Sequence, residues 1–295
     1  MRRMTDFLNA ERISGLLAGL PGGVPVAGRP PLAIEVLTET GSTNADLRER
    51  AARLTGPLLL AAERQTAGRG RAGRSWLADP GDSLCFSLAW PCAGPLQRLT
   101  GLSLAVGVAL AECLRARRIG GQPGTPVMLK WPNDLLVDGA KLGGILIETA
   151  GATAHDGVWV VVGVGLNVRA NATRDAAIDQ PAAALCEAGS GFDGDALLAQ
   201  LASSLVQALD SFDRDGLAPF GARWDALHAH AGQTVSIVEQ GRTLHQGTAL
   251  GIDPGGCLLL ATGAGIVTVA AGDVSLRAAA GSRRPPASEG PHAPH

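Results

Sequence analysis

The chain has 295 residues, of which 46% are hydrophobic and 18% charged, enough apolar material for a sizeable core and too much for an intrinsically disordered chain. Its 25 Lys and Arg against 27 Asp and Glu leave a net charge of −2, so no overall field draws it to nucleic acid or to an anionic membrane. The five cysteines (Cys85, Cys92, Cys113, Cys186, Cys257) form no CxxC pair and suit a reducing compartment, and the six histidines lack metal-ligand spacing.

In chain order, residues 5–20 carry Phe7, Leu8, Ile13, Leu16 and Leu17 at helical spacing, and a Gly/Pro-rich linker follows to residue 31. Residues 1–31 therefore read as an extension and linker, with no apolar run at the start long enough for a signal peptide. Residues 32–37 alternate as a strand, and Ser42 or Thr43 can cap a helix beginning around Asn44. A second strand is expected over 58–62, a glycine- and arginine-rich stretch over 64–75, and a third strand over 83–90. Residues 99–117 read as a largely buried helix. Its longest uncharged stretch ends before Glu112, short of the about 20 residues that a membrane span needs. A soluble, cytoplasmic protein is expected.

Strands are expected over 127–131 and 135–137, with a turn at Asp138-Gly139, and central strands over 144–148 and 158–166. Residues 169–190 read as a loop with a short helix. From 195 to 212, Leu198, Leu201, Leu205, Leu209 and Phe212 step by three and four to a stop at Gly216, an amphipathic helix. Past Gly232 come short strands over 233–238, 243–250, 257–261 and 266–270, which suggest a small SH3-like barrel over 231–277, and 278–295 reads as a disordered tail. The fold class expected is α+β, with a mixed-sheet domain over 32–230 before the barrel.

Four clusters carry candidate chemistry. Gly68, Gly70 and Gly73 match GxGxxG, but the chain continues Trp76-Leu77-Ala78-Asp79-Pro80-Gly81, which holds no helix, so a dinucleotide-binding turn is excluded. A Walker loop is absent as well. What remains is a pliant backbone with Arg64, Arg69, Arg71 and Arg74, suited to a triphosphate or acyl phosphate, or else a solvated basic loop. Lys130, Asn133 and Asp134 flank the Trp131-Pro132 break, and Lys141 stands beside Gly143 and Gly144, where it can bind an anion or simply project into water. Ser42, Thr43 and Asn44 at a helix start can hold a small polar ligand or only cap the helix. Residues 162–168 form a glycine-containing strand ending at Asn167, a pattern that marks close approach of a ligand or of backbone.

In this order and spacing, GSTN at 41–44, ERQTAGRGRAGRSW at 63–76, LKWPNDLLVDGAKLGGILIE at 129–148 and VGVGLNV at 162–168 resemble the catalytic domain of biotin protein ligases. The resemblance implies a biotin/lipoate-ligase type of mixed sheet with an SH3-like C-terminal barrel, over about residues 32–277. It implies that biotin is activated with ATP and Mg²⁺ and passed to a lysine of a biotin carboxyl carrier protein. By the same resemblance Ser42, Thr43, Asn44 and Gln65 line the biotin pocket, and Arg69, Gly70 and Arg71 form the loop that closes over biotin and its adenylate. Lys141 contacts the biotin carboxylate and the adenylate phosphate, which with Arg71 makes it a catalytic candidate. Asn133 and Asp134 lie near the nucleotide or Mg²⁺, with the metal ligands left open and Asp134 a candidate, and Asn167 lies on the adenine side. Two features depart from the family pattern. The N-terminal 31 residues are short for the DNA-binding winged helix that some members carry, so no specific DNA binding is expected. The segment after Asn167 lacks the Trp that some members place over adenine. A homodimer is left open and no membrane association is expected. A lipoate or octanoate transfer enzyme, a biotin-responsive repressor and a non-catalytic binding module are the rival readings.

Overall fold

The computed structural model describes residues 8–23, 28–76, 78–115, 126–153, 157–171, 181–186, 192–272 and 274–278. Strands β1 (Ala33–Thr40), β2 (Leu58–Gln65), β3 (Ser83–Cys92), β4 (Met128–Lys130), β5 (Asp134–Val137), β6 (Ala140–Ala152) and β7 (Val158–Asn167) form a 7-stranded sheet in the order β1-β2-β3-β7-β6-β5-β4. β1 and β2 are parallel and joined through helix α2 (Thr43–Arg50), while the other pairs are antiparallel, so the sheet is mixed as expected.

Period-two alternation gives the central strands two different faces. On the back face Phe86, Leu88 and Trp90 of β3 stand beside Val164, Val162 and Val160 of β7. Helices α1 (Ala10–Ala18), α3 (Leu102–Arg115) and α4 (Gly194–Asp215) cover that face and share its core. Helix α4 buries Leu198, Leu201, Leu205, Leu209 and Phe212 in the predicted register. Asp193 caps its start by accepting from the Ala196 N–H at 3.0 Å, and Gly216, at φ 63°, ends it. Asp195 accepts from the Asn9 N–H at 2.8 Å and from Arg12 at 2.6 Å, which docks α1 onto α4.

On the front face α2 covers only one end, where Leu47 and Ala51 pack on Leu58, Leu60, Ala89, Trp159 and Val161. Toward the other end this face carries Ala62, Cys85, Ser87, Gly163 and Gly165. That is where the candidate residues gather.

Five strands follow, β8 (Thr234–Glu239), β9 (Arg242–Ile252), β10 (Leu258–Thr262), β11 (Gly265–Val269) and β12 (Val274–Ala278). They make a 5-stranded antiparallel sheet in the order β11-β10-β9-β8-β12. Four of these strands match the expected segments. β12 does not, because its pairing of Leu276 with Ile237 is long-range and nothing in its own five residues names that partner. Helix α5 (Gly221–Leu227) is also additional; at 7 residues it is too short to display a period, and buried Trp224 and Leu227 hold it. Near this helix the small sheet meets the large one: the Trp131 indole N–H donates to the Gly256 carbonyl at 3.1 Å, and Asp225 accepts from the Ile252 N–H at 3.2 Å.

Strands β2, β6 and β7 extend beyond their expected limits, β6 most of all. Of the segment 169–190, residues 172–180 and 187–190 lie outside the described residues, as do 5–7 of the first predicted helix and 279–295 of the predicted tail. Among the described residues no helix is long and apolar enough to cross a membrane.

Candidate functional site

The parallel register of β1 and β2 sets Thr40 opposite Gln65, which brings the 41–44 turn to the root of the arginine–glycine loop. Backbone bonds fasten the two, from the Thr66 N–H to the Thr40 carbonyl at 2.9 Å and from the Ala67 N–H to the Gly41 carbonyl at 2.8 Å. Ser42 is the N-cap of α2, its hydroxyl 3.5 Å from the Ala45 N–H. The Thr43 N–H donates to Gln65 Oε1 at 2.8 Å, with the Thr43 hydroxyl 3.1 Å from the same oxygen. Thr43 Oγ1 is also 2.7 Å from Ser87 Oγ, and Ser87 donates to Asn44 Oδ1 at 2.6 Å. Asn44 lies flat on Gly163, where a Cβ would come within 2.2 Å of its Oδ1. Thr43, Asn44 and Gln65 are thus connected through Ser87, Ser42 stands beside them as the helix cap, and glycine at 163 is a packing requirement.

The arginine–glycine loop folds back on itself instead of starting a helix. The Gly70 N–H donates to the Arg74 carbonyl at 2.6 Å and the Trp76 N–H to the Gly68 carbonyl at 2.9 Å. Ala72 and Gly73 both take left-handed conformations, at φ 53° and 69°. The fold-back lays the Trp76 ring on Gly165, where a Cβ would meet the ring at 2.4 Å. Beneath the ring, burial pushes the Cys85 thiol up to about 12, against the weaker pull of Trp76 and Gln65, so it stays neutral in the slot, the strip of small residues of β3 and β7 between Asn44 and Trp76.

Lys141 stands at the slot's edge, its Nζ 5.8 Å from the Trp76 ring centroid and 2.7 Å from Asp134 Oδ1. Lys130 lies 3.8 Å from Asp134 Oδ2, and its ammonium is held below the usual lysine range by burial, which Asp134 partly offsets. The turn between β5 and β6, Asp138 at φ 49° and Gly139 at φ 79°, is the type I′ hairpin that sets Lys141 beside Asp134. Asn133 donates to the Ile145 carbonyl at 2.8 Å and accepts from Arg71 at 3.2 Å. Arg71 also donates to the Gly272 carbonyl of the C-terminal unit, so the loop is tied both to the 131–134 turn and to the small sheet. Arg69 is exposed on the loop and Gly70 half-buried. Asn167 donates to the Lys141 and Ala183 carbonyls, both at 3.0 Å, and its Oδ1 is buried without a hydrogen-bond partner among the described residues.

The predicted residues therefore converge on two linked groups, the Ser42–Asn44–Gln65 cluster and a charged edge of Lys130, Asp134, Lys141, Asn133 and Arg71, with Trp76 between them. Sequence reasoning gave no role to Trp76, Ser87 or Glu148. The signal for Ser87 is the alternation Ser83, Cys85, Ser87 against Leu84, Phe86, Leu88, which leaves one face of a central strand small and polar.

Comparison with known proteins bears on this arrangement. The model of the Biotin/lipoate A/B protein ligase family matches residues 34–167, and that of the Biotin protein ligase C terminal domain matches residues 230–277. The bifunctional ligase/repressor BirA of Escherichia coli is 35% identical over 274 residues, which span 93% of this chain and 79% of BirA. The biotin–[acetyl-CoA-carboxylase] ligase of Mycobacterium tuberculosis is 35% identical over 245 residues, 82% of this chain and 88% of that protein. The biotin protein ligase of Aquifex aeolicus, solved in complex with biotin and ATP, aligns with a TM-score of 0.68 at 27% identity, covering 83% of this chain and 99% of that one.

Proposed function

The chain belongs to the biotin protein ligase family, and from that premise we propose how its residues carry out ATP-dependent attachment of biotin to a carrier protein. The observation that carries the reading is the strip of small residues on β3 and β7, where Asn44 is seated on Gly163 and the Trp76 ring on Gly165, with a connected polar group at one end and two lysines, a carboxylate and an arginine at the other.

Biotin's head group enters among Ser42, Thr43, Asn44 and Gln65, and its carboxylate points to Lys141. The carboxylate attacks the α-phosphate of ATP and pyrophosphate leaves, which gives biotinyl-AMP. Negative charge accumulates at phosphorus in that step, and Lys141 and Arg71 offset it from fixed positions. Asp134 holds the Lys141 ammonium at the edge before substrate arrives, and Asn133 does the same for Arg71. Arg69, Gly70 and Arg71 belong to the loop that retains the reactive adenylate. The buried Oδ1 of Asn167 is an acceptor suited to an amine such as that of adenine. A lysine of the carrier then attacks the mixed anhydride and AMP leaves, with no covalent enzyme intermediate.

Among the described residues no three His, Cys, Asp or Glu side chains converge as a metal cage, and Asp134 already faces two ammonium groups. Mg²⁺ therefore arrives as part of the Mg·ATP substrate, bound mainly through phosphate oxygens and water. The partner is a biotin carboxyl carrier protein or domain of a carboxylase, and the net charge of −2 favours no sequence-selective duplex binding. We place the catalytic unit over 32–230 and the C-terminal unit over 231–277. The test is transfer: with biotin and Mg·ATP, an isolated carrier domain should gain one biotin. A carrier whose acceptor lysine is replaced by arginine should gain none; equal labelling of both would contradict directed transfer.

A further inference from the structure

Asn44 is held from outside the slot by Glu148, a residue of β6 that the mechanism above leaves unused. Asn44 Nδ2 donates to Glu148 Oε2 at 2.9 Å and lies 3.3 Å from the Leu146 carbonyl. The other oxygen of Glu148, Oε1, accepts from Arg48 at 2.7 Å, which fixes the carboxylate in one orientation. We infer that Glu148 is a positioning residue that sets the direction of the hydrogen bonds running through Asn44, Ser87 and the Thr43 hydroxyl, and so helps decide which head groups the pocket accepts. The inference rests on the reading of Thr43, Asn44 and Gln65 as the biotin pocket.

A carboxylate only accepts, so the Asn44 amide must turn its NH₂ to Glu148 and its oxygen to Ser87. Ser87 has a single proton and spends it on that oxygen, at 2.6 Å. At the shorter, 2.7 Å contact between Ser87 and Thr43, Thr43 is therefore the donor, and its 3.1 Å contact with Gln65 Oε1 can only share that same proton. With its proton spent, the Thr43 hydroxyl offers the slot lone pairs only. Gln65 Oε1 is fixed toward the Thr43 N–H at 2.8 Å, so the Gln65 amide offers its NH₂. The pocket thus presents an acceptor beside a donor, and a cyclic urea brings the complementary pair, N–H and C=O. Thr43, Asn44 and Ser87 are all buried, so water does not compete for these bonds. Glycine at 163 makes the space in which the Asn44 amide sits, since a Cβ there would come within 2.2 Å of its Oδ1.

The test is ATP–pyrophosphate exchange by the full chain with biotin, desthiobiotin, which keeps the urea, and iminobiotin, whose urea oxygen is replaced by a donor. In Glu148→Ala the Asn44 NH₂ keeps only its longer 3.3 Å bond to the Leu146 carbonyl, so the amide turns over more readily. The KM for biotin should rise by about tenfold, the effect of losing one charge-assisted bond that acts indirectly, with kcat and the KM for ATP close to wild type. The preference for biotin over iminobiotin should fall by a similar factor, while the ratio of biotin to desthiobiotin stays fixed. Glu148→Gln retains an oxygen that accepts from Asn44 and should restore biotin KM and preference to within about threefold of wild type. Arg48→Ala, on the surface, should shift the preference in the same direction by less, and it carries the test if Glu148→Ala lowers Tm. An unchanged preference in both Ala variants overturns the inference, as does damage in Glu148→Gln equal to that in Glu148→Ala. Failure of the wild-type chain to exchange with biotin would instead remove the pocket reading beneath it.

Discussion

On one face of the β3–β7 pair stand Phe86, Leu88, Trp90, Val160, Val162 and Val164; on the other, opposite one another, stand Cys85 with Gly165 and Ser87 with Gly163. The same backbone serves two purposes. The large side chains interdigitate with α1, α3 and α4 and supply stability through apolar burial. The small ones remove bulk, so that Asn44 and Trp76 lie directly on the sheet and a ligand can approach it. The difference teaches that stability and recognition are separable here at the level of alternate residues along one strand. Substitutions one residue apart should therefore have unlike consequences.

The largest effect is expected on the back face. Leu88→Ala removes a fully buried side chain and should cost about 2–5 kcal/mol in urea unfolding, while the KM for biotin stays at its wild-type value. A raised KM with unchanged stability would erase the distinction between the faces. On the front face Gly163→Val should do the opposite. Its Cβ would lie 2.2 Å from Asn44 Oδ1, so Asn44 must leave its bonds to Ser87 and Glu148. Biotin-dependent exchange should fall by about a hundredfold, on the scale of losing two hydrogen bonds to a buried amide. Normal exchange would show that Asn44 is not needed where it stands.

At the charged edge, Lys141→Ala removes one charge-assisted contact to the biotin carboxylate and phosphate. Adenylation should slow by about tenfold to a few hundredfold in single-turnover measurements. Unchanged kinetics would return Lys141 to the role of a surface turn residue paired with Asp134.

A separate effect, on stability alone, concerns the His228–His230 pair. The His228 ring lies 4.6 Å from that of Trp224 and 6.3 Å from that of His230, and neither nitrogen of His228 has a hydrogen-bond partner among the described residues. Burial holds both imidazoles down at about 4, with His230 adding to this at His228 and Lys130 adding to it at His230. Their folded-state values lie below the unfolded value near 6.5, so the unfolded chain takes up protons first. Stability is then fully present above that value and declines as pH falls toward about 4, by roughly 1.4 kcal/mol per pH unit for each ring. Unfolding midpoints between pH 7 and 4.5 should show this slope and His228→Phe should reduce it; an equal slope in the variant would place the acid sensitivity elsewhere.

The strands of the large sheet and helix α4 were legible because their periods run uninterrupted, and the four chemical clusters were legible because each is local in sequence. Even the meeting of Thr43 with Gln65 follows from two adjacent parallel strands. Glu148 was not legible, since it meets Asn44 across 104 positions and nothing in either segment signals the other. The same holds for Arg71, which reaches Asn133 across 62 positions. Strand β12 and helix α5 were missed for a related reason: long-range pairing defines the first, and burial of Trp224 and Leu227 against other elements defines the second.

The central claim, that the glycine-floored slot and its charged edge activate biotin with ATP, is tested most directly by ATP–pyrophosphate exchange with biotin, lipoate and octanoate offered separately. Biotin alone should support exchange. Equal exchange with lipoate or octanoate, or none with biotin, would contradict it.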